Sequence, residues 1–178
     1  MSYKECYIFV EGVNDLRFFE KIILPKLKKN YDMVYFKQYA QVNNVEIDKF
    51  ISSIKSMNKK YQADYIFVTD IDNSPCITEK KNDICSSYKE LESHKVAIVI
   101  KEIEGWYLAG IDPGTQKKFL KKKKLGNTDS ICKEDFVNML LKTDREINCR
   151  IEITRTFSIE KAMQNNTSFK YFCEKYLI

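Results

Sequence analysis

Acidic residues follow three of the four predicted strands of this sequence, and residues of these types at this spacing could together bind a metal ion. They are Glu11 and Asp15 after the first strand, Asp70 and Asp72 after the third, and Glu102 and Glu104 after the fourth. The carboxyl ends of parallel strands meet at one edge of a sheet, where ligands bind, so we expect these side chains to gather there. Carboxylate oxygens without nearby Cys or His ligands favour magnesium, with manganese as a substitute, over zinc.

Gathering carboxylates has an electrostatic cost that a cation would remove. Two carboxylates about 4 Å apart repel by roughly 4 kcal/mol at an effective dielectric constant near 20. That is a large share of a total stability of about 5–15 kcal/mol. Each group also has an ordinary structural interpretation, because acids are common in the first turn of a helix. The combination at one edge favours a metal site, and Gly12 is expected to let the chain turn sharply and a ligand approach closely.

The elements that must position these residues are four continuous apolar runs. They are Cys6–Val10, Met33–Phe36, Tyr65–Thr69 and Val96–Ile100. Continuous rather than alternating runs are typical of parallel strands buried on both faces, and amphipathic helical patterns lie between them. The sequence therefore predicts an α/β fold, a Rossmann-like three-layer sandwich with a mostly parallel four-stranded sheet. We expect a single domain over residues 1–178, with its core in about 1–110 and a helical C-terminal extension over about 111–178.

Composition excludes several classes of function. The chain of 178 residues has no apolar run near the roughly 18 residues that cross a bilayer, so we expect a cytoplasmic protein without membrane contact. Its six cysteines form no CxxC pair, and His94 is the one histidine. Neither a zinc site nor a Cys-His or Ser-His nucleophile is therefore expected. No glycine-rich phosphate loop is present either, which argues against a nucleotide cofactor.

Positive charge is concentrated in one short stretch of a chain whose net charge is +5. The stretch contains Lys117, Lys118, Lys121, Lys122, Lys123 and Lys124. A solvated face is the ordinary interpretation of such a run. Salt-sensitive contact with nucleic-acid phosphates is the alternative, and an acidic metal site nearby would favour it.

Two motifs resemble the Toprim domain. Val10-Glu11-Gly12 with Asp15 and Phe18 is followed by Val68-Thr69-Asp70-Ile71-Asp72, in the order and strand context of the Toprim Glu-Gly and Asp-x-Asp signatures. The resemblance covers about residues 5 to 110. It implies that Glu11 acts as a metal ligand or general base and that Asp70 and Asp72 bind magnesium. Topoisomerase and primase activities are not expected, because they need further domains.

Two later segments are similar to small stand-alone Toprim-like proteins, which are related to the nuclease domain of overcoming-lysogenization-defect nucleases. They are Glu102-Ile103-Glu104-Gly105-Trp106-Tyr107-Leu108-Ala109 and Thr167-Ser168-Phe169-Lys170. Several such proteins are linked to phage defence, which this resemblance therefore suggests.

The leading functional expectation is metal-dependent hydrolysis of nucleic-acid phosphodiester bonds. Glu11, Asp70 and Asp72 would be catalytic metal ligands, while Asp15, Glu102 and Glu104 would hold a second ion or orient water. Lys101, or a lysine of the C-terminal helices such as Lys161 or Lys170, would stabilise charge on the phosphate. The alternative is a non-catalytic module that binds metal, nucleotide or nucleic acid and works with a partner ATPase or effector.

Overall fold

The chain forms two compact units. The computed structural model describes residues 3–58, 62–121, 125–141 and 146–177. The first unit is Met1–Ile98 and the second is Val99–Ile178. Their boundary lies inside the fourth strand, before the change of sequence pattern near residue 110. The expectation of a single domain stays a prediction.

The first unit is built on a four-stranded parallel sheet in the order β2-β1-β3-β4. The strands are β1 (Glu5–Val10), β2 (Met33–Gln38), β3 (Ala63–Asp70) and β4 (Val96–Val99). β1 lies between β2 and β3, and both pairings are parallel. The prediction of an α/β fold with a parallel four-stranded sheet is confirmed.

Burial on both faces explains why β1, β3 and β4 are largely apolar. The edge strand β2 is exposed or half-buried along its length, contrary to the expectation from its apolar run. Phe9 and Phe67 pack in one cluster with Ile47 and Ile51 of the helix that follows β2. The alternate strand residues Ile8, Val10, Ile66 and Val68 are buried as well. Because successive side chains of such a strand point to opposite faces and both faces are buried, every residue along it is apolar.

The helices of the first unit follow the predicted alternation. They are α1 (Val13–Phe18), a π-helical segment (Phe19–Ile23), α2 (Leu24–Leu27), α3 (Asn44–Asn58), α4 (Ile77–Ser87) and a short 3-10 helix (Ser93–Lys95). The π-helical segment comes just before Pro25, which has no N–H to donate to the carbonyl four residues earlier. The expected irregularity at Pro25 is thus a local widening of a continuing helix.

The second unit is helical, as the sequence predicts for the C-terminal part. Its helices are α5 (Ile103–Ala109), α6 (Pro113–Phe119), α7 (Lys133–Met139), α8 (Glu146–Arg155), α9 (Ile159–Asn165) and α10 (Thr167–Tyr176). Trp106 packs between Phe169 and Phe172, with ring centroids 5.1 and 5.3 Å away. Among the helices that the structure describes, none has the length and apolar character to cross a membrane.

Candidate functional site

The chain turns directly after β1 and brings two of the predicted ligands close together in sequence and space. Glu11 is exposed, and Gly12 is the residue that caps α1. The backbone N–H of Gly12 donates a hydrogen bond to Asp15 Oδ2 over 3.1 Å. Asp15 therefore stabilises the first turn of α1, which is the structural role that acids often have at the start of a helix. Gly12 has φ −130°, an extended value that any residue can adopt. The expectation that the turn after β1 needs a glycine is therefore wrong.

Tyr39, which the sequence analysis missed, links the ends of three strands. It follows β2 directly, is buried, and donates a hydrogen bond from its hydroxyl to the carbonyl oxygen of Val68 over 3.0 Å. Burial raises the pKa of Tyr39 most, and the negative charges of Glu11 and Asp15 raise it further. The carboxylates after β1 therefore act electrostatically on a hydroxyl that is bonded to the end of β3.

The sheet register places Glu11 close to Asp70. Phe9 pairs with Phe67 in the parallel ladder. Continuing that register puts Glu11 beside Thr69, one residue before Asp70. An ideal ladder continued this far, with strands about 4.8 Å apart and about 3.3 Å per residue, would put the Cα atoms of Glu11 and Asp70 about 6 Å apart; the pairing of β1 with β3 itself ends at Phe9 and Phe67. That distance suits two carboxylates that share one ligand.

Asp70 and Asp72 do not project from one extended segment, contrary to the expectation from their spacing. Asp70 is the last residue of β3. Asp72 has φ 49°, in the left-handed region, which Asp tolerates better than most residues. Side chains two residues apart point the same way only while the strand continues, and β3 ends at Asp70. The Oδ1 oxygen of Asp70 is buried and accepts no hydrogen bond from a described group, although the residue has other interactions.

Lys80 of α4 is a second residue that the sequence analysis missed. Its Nζ lies 2.5 Å from Asp72 Oδ2. The lysine side chain is only 12% exposed, whereas that of Asp72 is 62% exposed. A strand-end Asp-x-Asp pattern gave no sign of this pairing, because the lysine comes eight residues later on the following helix.

The predicted ligands of the first unit share one edge of the sheet without forming a finished metal site. Among the described residues, Asp, Glu, Cys and His side chains form no group of three or more that could hold a metal ion. The available donors, Glu11, Asp15, Asp70 and Asp72, are hard carboxylate oxygens of the kind that magnesium prefers. The chemistry of these oxygens suits a divalent cation, but the described arrangement does not bring three of them together around one, and Asp72 is paired with Lys80 instead.

In the second unit, Glu104 is not available as a metal ligand. It is buried, and its Oε1 lies 2.5 Å from Nη2 of Arg150, which is buried too. Arg150 also pairs with Glu146 and lies over the ring of Phe136, 4.5 Å from its centroid. We correct the expectation for Glu104, since a buried carboxylate already neutralised by a guanidinium has a structural role.

Glu102 is likewise engaged within the second unit. Its Oε2 accepts a hydrogen bond from the backbone N–H of Lys133 over 2.5 Å. Lys133 is the first residue of α7, so Glu102 satisfies one of the free N–H groups of that helix N-terminus. This contact accounts for an acid at position 102 without a metal.

The two segments similar to small Toprim-like proteins are joined by a buried polar network. Trp106 Nε1 donates to Ser168 Oγ over 2.8 Å, and the backbone N–H of Ile100 donates to the same oxygen over 3.2 Å. Ser168 in turn donates to Asn166, whose side-chain amide donates to Thr128. In this structure Trp106 and Ser168 therefore have a stabilising role.

The predicted phosphate-binding lysines differ in their surroundings. Lys101 is exposed and has φ 61°, unusual for a residue with a long side chain. Hydrogen bonds from Cys132 and, to a lesser extent, the charge of Lys101 lower the pKa of Asp135. Lys161 donates from Nζ to the carbonyl oxygen of Ile111 over 2.6 Å, so it is engaged in the fold.

The described lysines of the basic stretch and Lys170 of α10 lie on the surface. Lys117 and Lys118 are exposed on α6, and Lys118 lies over the ring of Phe119. Lys121 donates to the carbonyl oxygen of Asn138 over 3.0 Å, and exposed Lys170 lies 3.8 Å from Glu174. Lys122, Lys123 and Lys124 lie outside the described residues.

A concave surface also occurs at the opposite edge of the sheet. A depression of about 720 Å³ is lined by Lys4, Lys28, Lys29, Asn30, Tyr31, Asp32 and Gln62. Lys4 and Gln62 directly precede the first residues of β1 and β3. The depression is therefore at the amino ends of the strands, whereas the predicted ligands follow the carboxyl ends.

Comparison of the chain with protein-family models, with curated proteins and with solved structures finds no match. The Toprim resemblance therefore stays a prediction that depends on the motifs themselves.

Proposed function

We propose that this protein is a Toprim-type, magnesium-dependent hydrolase of nucleic-acid phosphodiester bonds. The observation that supports the proposal most is the convergence after β1 and β3. The parallel pairing of β1 with β3 supports the proposal, because Glu11 and Asp70 lie at the carboxyl ends of these two neighbouring strands.

Glu11, Asp70 and Asp72 are the proposed ligands, with Asp15 at the rim of the site. Bound magnesium, or manganese in its place, supplies Lewis acidity at the phosphate and acidifies water. The carboxylates hold the charge that such a cation requires, and Asp15 also keeps Gly12 and the start of α1 in place. Tyr39 is protonated at neutral pH, as any tyrosine is, and its raised pKa extends this to more alkaline pH; its hydroxyl fixes the end of β2 on β3.

Lysines of the second unit are the proposed contacts for the nucleic-acid backbone. Lys117 and Lys118 are exposed, and Lys101 follows β4 in the chain. Contacts with phosphates release counterions, so the logarithm of the binding constant falls with the logarithm of salt concentration by about 0.9 per phosphate contact on duplex DNA. Replacing Lys117 and Lys118 with Met should reduce that slope by up to about 2 if both contact phosphates.

The activity test compares Asp70→Asn and Asp72→Asn with the wild type. Each variant is incubated with labelled DNA and RNA in magnesium or manganese, and cleavage is followed on denaturing gels. Asp83→Asn is the matched control, because Asp83 is an exposed carboxylate on α4 of the same unit. We expect both site variants to lose at least about a hundredfold in rate and the control to keep it. Equal cleavage by all four proteins would reject the assignment.

The alternative function is a non-catalytic binding module. The same edge would then bind a metal-associated nucleotide or nucleic-acid end without turnover, and a partner ATPase or effector, in phage defence for example, would act on it. The wild type would bind manganese and nucleic acid but cleave neither DNA nor RNA.

A further inference from the structure

The outer edge of β2 presents backbone groups that have no partner strand. β2 is an end strand of the sheet that the described residues form, and it pairs with β1 along its whole length without a bulge. The N–H groups of Met33 and Tyr39 donate to carbonyl oxygens on the β1 side over 3.2 and 3.1 Å. Because this direction alternates along a parallel ladder, the N–H and C=O groups of Val34, Phe36 and Gln38 point away from β1.

The side chains beside this edge form an exposed apolar surface. Met33 and Tyr35 are 40% and 39% exposed. Tyr35 stacks on Tyr7 with ring centroids 4.9 Å apart, and Tyr7 packs in turn against Phe50, which is itself exposed. Free edges are commonly protected by a proline, a bulge or charged side chains, and the one charged residue of β2 is Lys37. An apolar edge with so little protection is typical of a strand that pairs with another chain.

We propose that β2 pairs with β2 of a second copy of this chain, antiparallel and about a twofold axis at Tyr35. The two four-stranded sheets then become one continuous sheet. In this register Val34 lies opposite Phe36 of the second copy, and both residues have outward N–H and C=O groups. Each such pair can therefore exchange both of its hydrogen bonds, while the two Tyr35 rings face each other on the apolar surface.

Charge favours a second copy as the occupant and an antiparallel direction. The segment begins with Asp32 and ends with Lys37 and Gln38. The twofold register places Lys37 opposite Met33 of the second copy, and Met33 lies beside Glu5 in the sheet. The Cα atoms of Lys37 and of that Glu5 are then about 10 Å apart, two strand spacings, which a lysine and a glutamate side chain together can span. Gln38 lies opposite Asp32, so the acidic end of each strand meets the basic end of the other.

The first test measures the mass of the full chain over a range of concentrations by analytical ultracentrifugation. We expect the wild type to form a dimer that dissociates on dilution. Tyr35→Lys and Met33→Lys place a charge on the edge, and each should raise the Kd of the dimer at least about tenfold, since every change occurs twice in a twofold interface. Tyr171→Lys is the matched control, because Tyr171 is an exposed tyrosine on α10, and it should leave the Kd unchanged.

The second test identifies the edge itself by hydrogen exchange of single amides in NMR spectra. The amides of Val34 and Phe36 should be protected in the dimer and lose that protection on dilution or in Tyr35→Lys. The amide of Lys37, which the alternation directs towards β1, should stay protected in both states.

Two results would overturn the proposal. One is a wild type that stays monomeric at all concentrations, including one that binds an extended segment of a different protein at this edge. The other is a dimer that Tyr35→Lys and Met33→Lys both leave intact, because its contacts then lie elsewhere. Circular dichroism verifies folding, and Met33→Lys decides alone if Tyr35→Lys does not fold. Neither measurement uses metal or substrate, so the outcome is independent of the proposed function.

Discussion

Replacing Glu104 with Gln should destabilise the second unit and leave metal binding unchanged. Glu104 and Arg150 form an ion pair whose side chains are 4% and 2% exposed. Removing one partner of such a pair costs about 3–5 kcal/mol, because the other charge stays buried. Arg150 keeps Glu146, and Gln can still accept one hydrogen bond, so we expect a loss just below that range, about 2–3 kcal/mol.

A double-mutant cycle separates the pair from its surroundings. Arg150→Met alone should be strongly destabilising, since it leaves Glu104 buried opposite an apolar side chain. The double variant removes both charges together with the buried Nε of Arg150, which has no hydrogen-bond partner among the described residues. We expect it to be more stable than the sum of the single changes implies, with a coupling free energy of about 2 kcal/mol.

The assay can report on the second unit directly. Trp106 is the one tryptophan in the sequence and lies in α5, in the same unit as the pair. Urea unfolding followed by its fluorescence gives the free energy of unfolding of this unit. Glu146→Gln is the control and should cost less than about 1 kcal/mol, because Glu146 is 34% exposed. A loss below about 1 kcal/mol for Glu104→Gln, together with weakened manganese binding, would refute the structural role.

Two further predictions concern pH and capping. Partial burial raises the pKa of Asp112, but hydrogen bonds from Thr115, Thr156 and Gly114 outweigh it and lower the pKa to about 2. Its contribution is therefore present above the usual pKa near 4 and lost as pH falls through about 2, and Asp112→Ala should cost about 1 kcal/mol at pH 7 in urea unfolding. Burial, followed by Glu5, raises the pKa of Tyr7 to about 12. The free energy of unfolding should fall as pH rises from 10 towards 12, and less so in Tyr7→Phe; parallel curves would contradict the assignment.

The sheet was predictable from sequence because its cause is local. Every residue of a strand such as Ile66-Phe67-Val68 is buried, so the pattern is visible within five or six residues. The placement of Glu11 and Asp70 at one edge follows from parallel topology alone. These predictions needed no knowledge of contacts between residues distant in the chain.

The parts of the site that sequence reasoning missed depend on distant partners or on backbone conformation. Glu104 looks like a ligand until Arg150, 46 residues later, is placed beside it. The spacing of Asp70 and Asp72 implies a common direction only if the strand continues, and φ of 49° at Asp72 ends it. No sequence motif contains Lys80 or Tyr39. Only the folded chain brings Lys80, near the start of α4, to Asp72. In the same way, it brings Tyr39, just after β2, to Val68.

The most direct test of the central claim is a crystal of the protein soaked in manganese, with an anomalous difference map. A peak within ligand distance of carboxylate oxygens from Glu11 and from Asp70 or Asp72 is the predicted result. A saturating soak that gives no peak beside Glu11 would contradict it.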